Sequence, residues 1–269
     1  MKALHRSSLM LVIALAASAP LSAQTFVSTG FEDPITLGDL NGQDGWMVTP
    51  SEASATVQNT RVRTGLQALD IVDAASFGRA QKNISNDVVL PQLWGSMAMY
   101  VDDAWKLEIE ADRFEAQARI EGDNGLGTFG IEFGFVLAPA GGYGTVPGGA
   151  SAFYLEIGTE SASLGTAYTV VDYSAVANAW HVYDMLYDNT TNQVSLFVDG
   201  TLQVQVGVTD DILSVSGIQL QNQRWGTSPM RNASLYFDDV SVYEAVPEPA
   251  SMLALAAGIG ALAMRRRRS

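Results

Sequence analysis

The stretch that decides the fold is AWHVYDMLYDNTTNQVSLFVDG, residues 179–200. It contains two segments rich in Val, Leu, Phe and Tyr, 180–187 and 193–198, with a polar Asp-Asn-Thr-Thr-Asn run between them. Aromatic and β-branched residues favour strands, whereas Asn, Asp and Gly favour the turns that join strands. The stretch therefore predicts two antiparallel strands, and its closing Asp-Gly predicts a second turn.

The segment QVSLFVDGTLQVQV, residues 193–206, predicts a hairpin with two alternative registers. A two-residue turn at Asp-Gly pairs Leu196 with Gln203, which sets apolar against polar side chains. A three-residue loop pairs Leu196 with Leu202 and makes one apolar face. We expect the second register, with Gly200 in the left-handed conformation.

The remaining sequence between residues 24 and 245 also consists of short strand-forming segments separated by turn-forming residues, and no stretch of it has helical periodicity. Short segments rich in Val, Ile, Phe, Tyr and Thr alternate with Gly, Asn and Asp, which is typical of a sandwich or jelly roll. The last segment, LYFDDVSVY at 235–243, changes phase between its two apolar pairs and predicts a β-bulge at Asp238-Asp239. The candidate strands are 25–31, 55–62, 67–73, 80–85, 94–102, 107–111, 115–121, 129–137, 152–158, 167–173, 180–187, 193–198, 201–206, 217–224 and 234–244.

The run at 179–200 resembles the laminin-G/concanavalin A-like domain, in which a tryptophan precedes a strand ending in Tyr-Asp and a second strand ends in Asp-Gly. The segment LYFDDVSVYE at 235–244 is similar to the closing strand of such domains. The resemblance implies an all-β, antiparallel β-sandwich of the jelly-roll type over residues 24–245.

Composition excludes several classes of function. The chain has no cysteine, so disulfides, thiolate catalysis and cysteine metal sites are absent, and its two histidines are His5 and His181. Between the N-terminal segment and the C-terminal arginines, nine basic residues face 29 acidic ones, a net charge of −20. Such a surface repels phosphates and makes a nucleic-acid partner unfavourable. We expect His181 to be a packed or surface residue rather than a catalytic one.

Residues 1–23 have the three parts of a secretory signal peptide. Lys2 and Arg6 precede an uncharged apolar run at 9–19, and small residues follow it up to Ala23. We expect a signal helix and cleavage by signal peptidase after Ala23; the alternative is an uncleaved amphipathic helix.

The C-terminal segment 246–269 combines a Val-Pro-Glu-Pro motif, an uncharged apolar run at 250–264 and four arginines. A helix over that run spans roughly 22 Å, so we expect a short transmembrane helix whose arginines stay in the cytoplasm. An ordinary tail anchor is the alternative. The residues of the motif are Pro247, Glu248, Pro249, Arg265, Arg266, Arg267 and Arg268.

This arrangement resembles the PEP-CTERM sorting signal, and FEDPITLGDLNGQDGW at 31–46 resembles the opening segment of jelly-roll domains in PEP-CTERM proteins. In that family an exosortase, a membrane-embedded transpeptidase-like enzyme, cuts near the motif and releases or transfers the protein. The resemblance implies export in a Gram-negative bacterium that makes exopolysaccharide and biofilm, with transient anchoring in the inner membrane.

Catalysis would need paired carboxylates, and KLEIEADRFEA at 106–116 supplies Glu108, Glu110, Asp112 and Glu115. Jelly-roll glycosidases place such residues at alternate positions on one strand. Apolar residues alternate with these carboxylates, however, as on any half-solvated strand, and the Glu-x-Asp-x-x-Glu order of the family is not kept. We therefore expect no enzymatic activity.

The sequence offers contacts for two further ligands, a calcium ion and a sugar ring. Oxygen ligands for calcium are available at Asp102-Asp103 and at Glu121-Gly-Asp123-Asn124-Gly125, but the EF-hand spacing is absent and no ligand set can be assigned. We therefore expect no cofactor, with calcium as the alternative. Trp225, in the turn-like QRWGTSP, is the tryptophan that we expect to be exposed and to contact a ligand such as a sugar ring.

The sequence thus indicates an exported, non-catalytic protein of the cell surface or biofilm matrix, with exopolysaccharide as a candidate ligand. The alternatives are a glycoside hydrolase or lyase on the same fold, and a purely structural component of the envelope. Signal peptidase and exosortase would be its partners during export.

Overall fold

The fold is known from a computed structural model that describes residues 24–49, 54–72, 77–86, 91–103, 113–123, 128–142, 145–159, 163–209, 212–225 and 233–244. Apart from two single turns of 3-10 helix, the regular structure in these ranges is entirely β. The strands are β1 Thr25–Thr29, β2 Gly38–Asp39, β3 Trp46–Thr49, β4 Ser54–Gln58, β5 Ala68–Val72, β6 Phe77–Asn86, β7 Gln92–Val101, β8 Arg113–Asp123, β9 Thr128–Leu137, β10 Ser151–Thr159, β11 Ser163–Val171, β12 Trp180–Asp188, β13 Gln193–Val198, β14 Thr201–Gly207, β15 Ser214–Trp225 and β16 Ser234–Glu244.

The strands form two sheets, and all neighbouring strands in them are antiparallel. The nine-stranded sheet has the order β14-β13-β12-β7-β16-β5-β4-β2, with β1 paired to β16. The seven-stranded sheet has the order β11-β10-β9-β8-β15-β6-β3. The prediction of an all-β antiparallel sandwich is confirmed.

The core lies between the sheets and is formed by every second residue of each strand. On β9, Ile131, Phe133 and Phe135 are at most 1% exposed, and Met97 and Met99 of β7 are equally buried from the other sheet. Aromatic rings from both sheets meet there; the Phe153 and Tyr183 ring centroids are 6.0 Å apart. Alternation with a period of two residues therefore decides which side chains form the core.

The hairpin register that we expected is wrong. Val198 pairs with Thr201 across a two-residue turn at Asp199-Gly200, whose φ angles of 49° and 75° fit a type I′ turn. A bulge then shifts the register, and Leu196 pairs with Val204 instead of Leu202. The predicted left-handed Gly200 is confirmed. The bulge at Gln203, rather than a longer loop, sets apolar residues opposite each other.

The expected bulge in the last strand is confirmed. In β16, Asp238 pairs with Ala98 and Ser241 with Ser96, so one extra residue lies in β16 between these pairs. Asp239 adopts a φ of 49° at this point. The bulge brings both apolar pairs to the core, namely Leu235, Phe237, Val240 and Val242, all at most 1% exposed.

The Gly- and Pro-rich segment after β9 folds back onto the sheet, although its composition suggests a simple surface loop. The Ala138 amide donates to the Ala150 carbonyl at 2.9 Å, and the Gly149 amide donates to the Pro139 carbonyl at 3.0 Å. Val146 is 2% exposed and packs in a small apolar cluster with Val136, Ala138, Ala152 and Tyr154. This segment covers part of the seven-stranded sheet on the side opposite the core.

The expected signal helix, the C-terminal transmembrane helix and the PEP motif lie outside the described residues. Within the part of the chain that the structure describes, no helix is long and apolar enough to span a bilayer.

Candidate functional site

The side of the seven-stranded sheet that faces away from the core is polar. On β8, Phe114, Ala116 and Ala118 point into the core, so the alternate positions face outward. We define the polar face by the outward residues at the centre of this sheet: Arg79, Glu115, Gln117, Arg119, Glu121, Glu132, Gln219, Gln221 and Gln223.

The pairing of β8 with β15 brings the polar face together. Gln219 lies opposite Arg119, Gln221 opposite Gln117, and Gln223 opposite Glu115. On the other side of β8, Glu132 of β9 also lies opposite Arg119. The consecutive strands β8 and β9 and the distant strand β15 thus form one continuous row of amides, carboxylates and a guanidinium.

Several of these side chains are buried, although they point away from the core. Glu115, Gln117, Gln219 and Gln221 are each 2% exposed, and Gln223 is 9% exposed. Buried polar groups are costly unless they are hydrogen-bonded. Such burial distinguishes the polar face from an ordinary solvated sheet.

Amide hydrogen bonds cross the face from strand to strand. The Nε2 of Gln117 is 3.0 Å from Gln221 Oε1, 3.3 Å from Glu132 Oε2 and 3.4 Å from Glu115 Oε2. Gln221 donates to Gln219 at 2.7 Å, and Gln219 donates to Glu121 at 2.5 Å. Each amide therefore orients its neighbour, and the network fixes the side chains in place.

Arg119 supplies positive charge at one end of this network. It forms an ion pair with Glu132 and a second, at 3.4 Å from its Nε, with Glu121. The side chains of all three residues are about one-fifth exposed. Arg79 adds a second guanidinium, which donates to Gln219 Oε1 at 3.0 Å.

Glu115 and Glu132 are the two carboxylates closest to the arrangement used by glycosidases. Both bond the same Gln117 nitrogen, so the two oxygens that do so lie less than about 7 Å apart, an upper limit that is compatible with the carboxyl separation of such enzymes. Glu132 is also held by Arg119. The geometry suits hydrogen bonding to a polyhydroxylated ligand, and it leaves glycoside hydrolysis as the alternative chemistry.

Of the four carboxylates that the sequence offered for catalysis, the structure describes only Glu115. Glu108, Glu110 and Asp112 lie outside the described residues, whereas Glu115 lies on the polar face. Trp225 is the last residue of β15 and pairs with Arg113, and its side chain and the segment 226–232 that follows it lie outside what the structure describes.

Those proposed calcium ligands that the structure describes belong to different sheets. Glu121 is on the seven-stranded sheet and bonds Arg119 and Gln219, whereas Asp102 follows β7 of the other sheet and pairs with Arg61 at 3.7 Å. Asn124 and Gly125 lie outside the described residues. In the described ranges, no three acidic or histidine side chains are grouped as a metal site would require.

His181 has a partner that was not predicted. Its Nδ1 lies 2.6 Å from Asp199 Oδ2, in the turn of the β13–β14 hairpin, and its side chain is 18% exposed. Asp199 Oδ1 also accepts the backbone amide of Val182 at 2.9 Å. The pair holds the turn against β12.

The polar face as a whole was not predicted from the sequence. Its signal is the alternation of polar residues in EAQAR at 115–119 and in QLQNQ at 219–223. This pattern also fits a solvated strand, and only the pairing of β8 with β15 shows that the two rows meet.

Comparison with solved structures identifies the fold. An endo-1,3-beta-glucanase from Streptomyces sioyaensis is similar at a TM-score of 0.55 and 13% identity, over 86% of this chain and 100% of that chain. A cellulose induced protein, Cip1, is similar at a TM-score of 0.50 and 11% identity, over 81% and 97%. The binding domain of botulinum neurotoxin serotype D/C VPI 5993 is similar at a TM-score of 0.52 and 12% identity, over 86% and 51%.

Comparison with curated protein sequences finds no match. The PEP-CTERM protein-sorting motif matches residues 245–268. This motif implies export, processing by an exosortase and sorting to the cell envelope or surface. The chain therefore carries a PEP-CTERM sorting motif next to a β-sandwich of the jelly-roll, concanavalin-like fold.

Proposed function

We propose that this exported protein is a non-catalytic component of the cell surface or biofilm matrix that binds glycan on its polar face. The observation that carries the proposal is the group of charged side chains Arg119, Glu121 and Glu132, which are each about one-fifth exposed and are held in place by the buried amides of β8 and β15. A sugar hydroxyl both donates and accepts hydrogen bonds, and Gln and Glu side chains offer both kinds of partner. Side chains held in place by their neighbours lose little entropy when a ligand binds.

The fold is compatible with this function. Its structural neighbours include a glucanase and neurotoxin binding domains, so both catalysis and binding occur on sandwiches of this shape. Function on a shared fold is decided by the side chains of the site. Here the carboxylates Glu121 and Glu132 are engaged by Arg119, which supports binding rather than acid–base chemistry.

Affinity electrophoresis tests the proposal. The exported domain would be run in native gels that contain laminarin, hydroxyethylcellulose, agarose or alginate. Replacing Gln117 and Gln221 together by Met preserves their approximate volume and removes their hydrogen bonds. We expect at least a tenfold loss of affinity for the retarding polysaccharide. Gln205→Met, on an exposed position of β14, is the matched control.

Two results would overturn glycan binding on this face. One is unchanged retardation of the Gln117→Met/Gln221→Met variant, with far-UV circular dichroism showing an intact fold. The other is the absence of retardation by every polysaccharide, which would favour the purely structural role.

A glycoside hydrolase is the second candidate, because Glu115 and Glu132 are close enough to act as a pair. Reducing-sugar release from the same polysaccharides decides between the two. We expect none. Release by the wild-type protein that Glu115→Gln or Glu132→Gln abolishes would establish the enzyme instead.

The sorting motif supports a route to the surface. In this proposal signal peptidase removes residues 1–23, the C-terminal segment anchors the protein transiently in the inner membrane, and the exosortase then cuts near Pro247-Glu248-Pro249. The domain of residues 24–245 would be left outside the cell, where its ligand would be exopolysaccharide.

A further inference from the structure

The nine-stranded sheet carries a row of aromatic side chains on the side opposite the core. Trp180 of β12 and Tyr236 of β16 both pair in register with Tyr100 of β7. Their rings meet edge to face, with centroids 5.7 Å apart for Trp180 and Tyr100 and 5.9 Å apart for Tyr100 and Tyr236. All three are only partly buried.

Arg61 lies on this row. Its guanidinium carbon is 4.1 Å from the centroid of the Tyr100 ring and 4.9 Å from that of Tyr236. It also pairs with Asp102 at 3.7 Å, and the two side chains are 34% and 31% exposed. Cation–π contact restrains the guanidinium over the rings while its N–H groups remain at the surface.

Further polar groups border the row. Asn178 Oδ1 accepts from the Tyr100 hydroxyl at 3.4 Å and from the Asp103 amide at 3.3 Å. Beside Tyr236, Asp70 accepts a hydrogen bond from Ser234 at 3.2 Å, and its other carboxylate oxygen is buried without a hydrogen bond among the described residues. Burial raises the pKa of Asp70 to about 6.

The core does not explain this arrangement, since the core lies on the other side of the sheet. Aromatic rings, a guanidinium and carboxylates together form a surface that matches a sugar. The C–H face of a pyranose can lie on an indole ring, and a fixed guanidinium–carboxylate pair can bond neighbouring hydroxyls.

Charge restricts the ligand. Asp70, Asp102 and Asp103 outnumber Arg61 around the row, and the chain between its two terminal signals has a net charge of −20. A polyanionic polysaccharide such as alginate would be repelled at this density of negative charge. A second copy of the chain would be repelled for the same reason.

We propose that Trp180, Arg61 and Asp102 form a second glycan site, which takes a neutral polysaccharide on the sheet opposite the polar face. The proposal shares its ligand class with the function proposed above but uses none of the same residues. Because the two sites lie on opposite sheets of one sandwich, a single domain could hold two chains and cross-link them.

Binding and cross-linking are measured separately to test this site. Laminarin and hydroxyethylcellulose are the neutral probes, and alginate is the anionic one. Affinity electrophoresis reports binding, and light scattering of protein–polysaccharide mixtures reports cross-linking. The variants are Trp180→Ala and Trp180→Phe, each made in the wild-type protein and in the Gln117→Met/Gln221→Met background. Leu202→Ala, an exposed apolar position of β14, is the surface control.

We expect Trp180→Ala to abolish the scattering increase while some retardation by the neutral glucan remains through the polar face. In the polar-face background it should reduce the remaining retardation at least fivefold. Trp180→Phe and Leu202→Ala should behave like their parents.

Three results would contradict the proposal of a second site or of its ligand class. Unchanged scattering and retardation of Trp180→Ala would overturn the second site alone. Loss of all binding in the polar-face variant would also overturn it, and would leave the first proposal standing. Stronger retardation by alginate than by the neutral glucans would overturn the ligand class.

Discussion

The Nε2 of Gln117 lies 3.0 Å from the Oε1 of Gln221, and this hydrogen bond joins β8 to β15 at the centre of the polar face. The two residues are 104 positions apart in the chain. Each is 2% exposed, so the amide of one is a main partner of the other in a region that water scarcely reaches. The bond is therefore part of the site and also part of what holds the seven-stranded sheet together.

Replacing Gln117 alone by Met should destabilise the domain. The substitution removes one hydrogen bond to each of Gln221, Glu115 and Glu132, and each such bond contributes about 0.5–1.5 kcal/mol. Urea denaturation followed by tryptophan fluorescence measures the loss. Gln205→Met removes a single hydrogen bond, to Ser195 at 2.8 Å, at an exposed position, and should cost less, at most about 1 kcal/mol. Equal stability of the two variants would contradict the structural role of the network.

The stability of the domain should depend on the charge of Asp70. Burial raises its pKa from 3.8 to about 6, although Ser234 and Arg61 act in the opposite direction. The folded state therefore binds a proton more tightly than the unfolded state. The contribution of Asp70 to the free energy of unfolding is fully present below about pH 4 and is lost as the pH rises through about 6. At higher pH it does not change further.

Asp70→Asn removes this effect. We expect the variant to be more stable than the wild type by roughly 2 kcal/mol at pH 8, after allowance for partial exposure, and the difference to shrink towards pH 4. Urea denaturation at the two pH values measures it. A constant difference between wild type and Asp70→Asn would contradict the assignment.

Gly200 should be needed for the tight turn between β13 and β14. Its φ is 75° and no other atom lies within 4 Å of an added Cβ, so the cost of alanine there is conformational alone. Gly200→Ala should lower the free energy of unfolding by about 1 kcal/mol. Gly141 also has open space around its Cα but no left-handed φ. Gly141→Ala should be neutral or slightly stabilising, and thermal unfolding of the two variants compares them.

The C-terminal segment should be absent from the mature protein. Exosortase processing near the motif removes the apolar run and the arginines, and intact-mass measurement of protein from a competent host should show this loss. Replacing Pro247, Glu248 and Pro249 together by alanine should keep the full-length form in the inner-membrane fraction. Retention of the segment in the wild-type protein would contradict this prediction.

Much of the fold follows from the sequence because a β-strand has a simple period. The alternation of apolar and polar residues predicted most of the strands, and the phase change at Asp238-Asp239 predicted the bulge in β16. The short strands β2 and β3 were not predicted, since segments of two to four residues are too short to show an alternation of apolar and polar residues. The hairpin register was wrong because a bulge at Gln203 provides the same apolar match as a longer loop.

The candidate site was harder to predict than the fold. Alternating Glu and Gln residues have the same pattern on a solvated strand and on a buried polar face. Which of the two they form depends on pairing between distant strands and on what packs above them, as Gln117 and Gln221 illustrate. Likewise, Trp180 and Arg61 are separated in sequence, and both contact Tyr100 only because β12, β7 and β16 lie side by side.

The position of β16 has a mechanical consequence for a protein held by its C-terminus. This strand leads into the sorting motif, and it has hydrogen-bonded neighbours on both edges, β7 on one and β5 with β1 on the other. Tension applied to the C-terminus would enter the sandwich through an interior strand and load these hydrogen bonds in parallel. An edge strand such as β14 would instead peel away one bond at a time. If the protein is held by its C-terminus and binds a polymer chain as proposed above, drag on that polymer would load β16 together with its neighbours rather than peel it from the sheet.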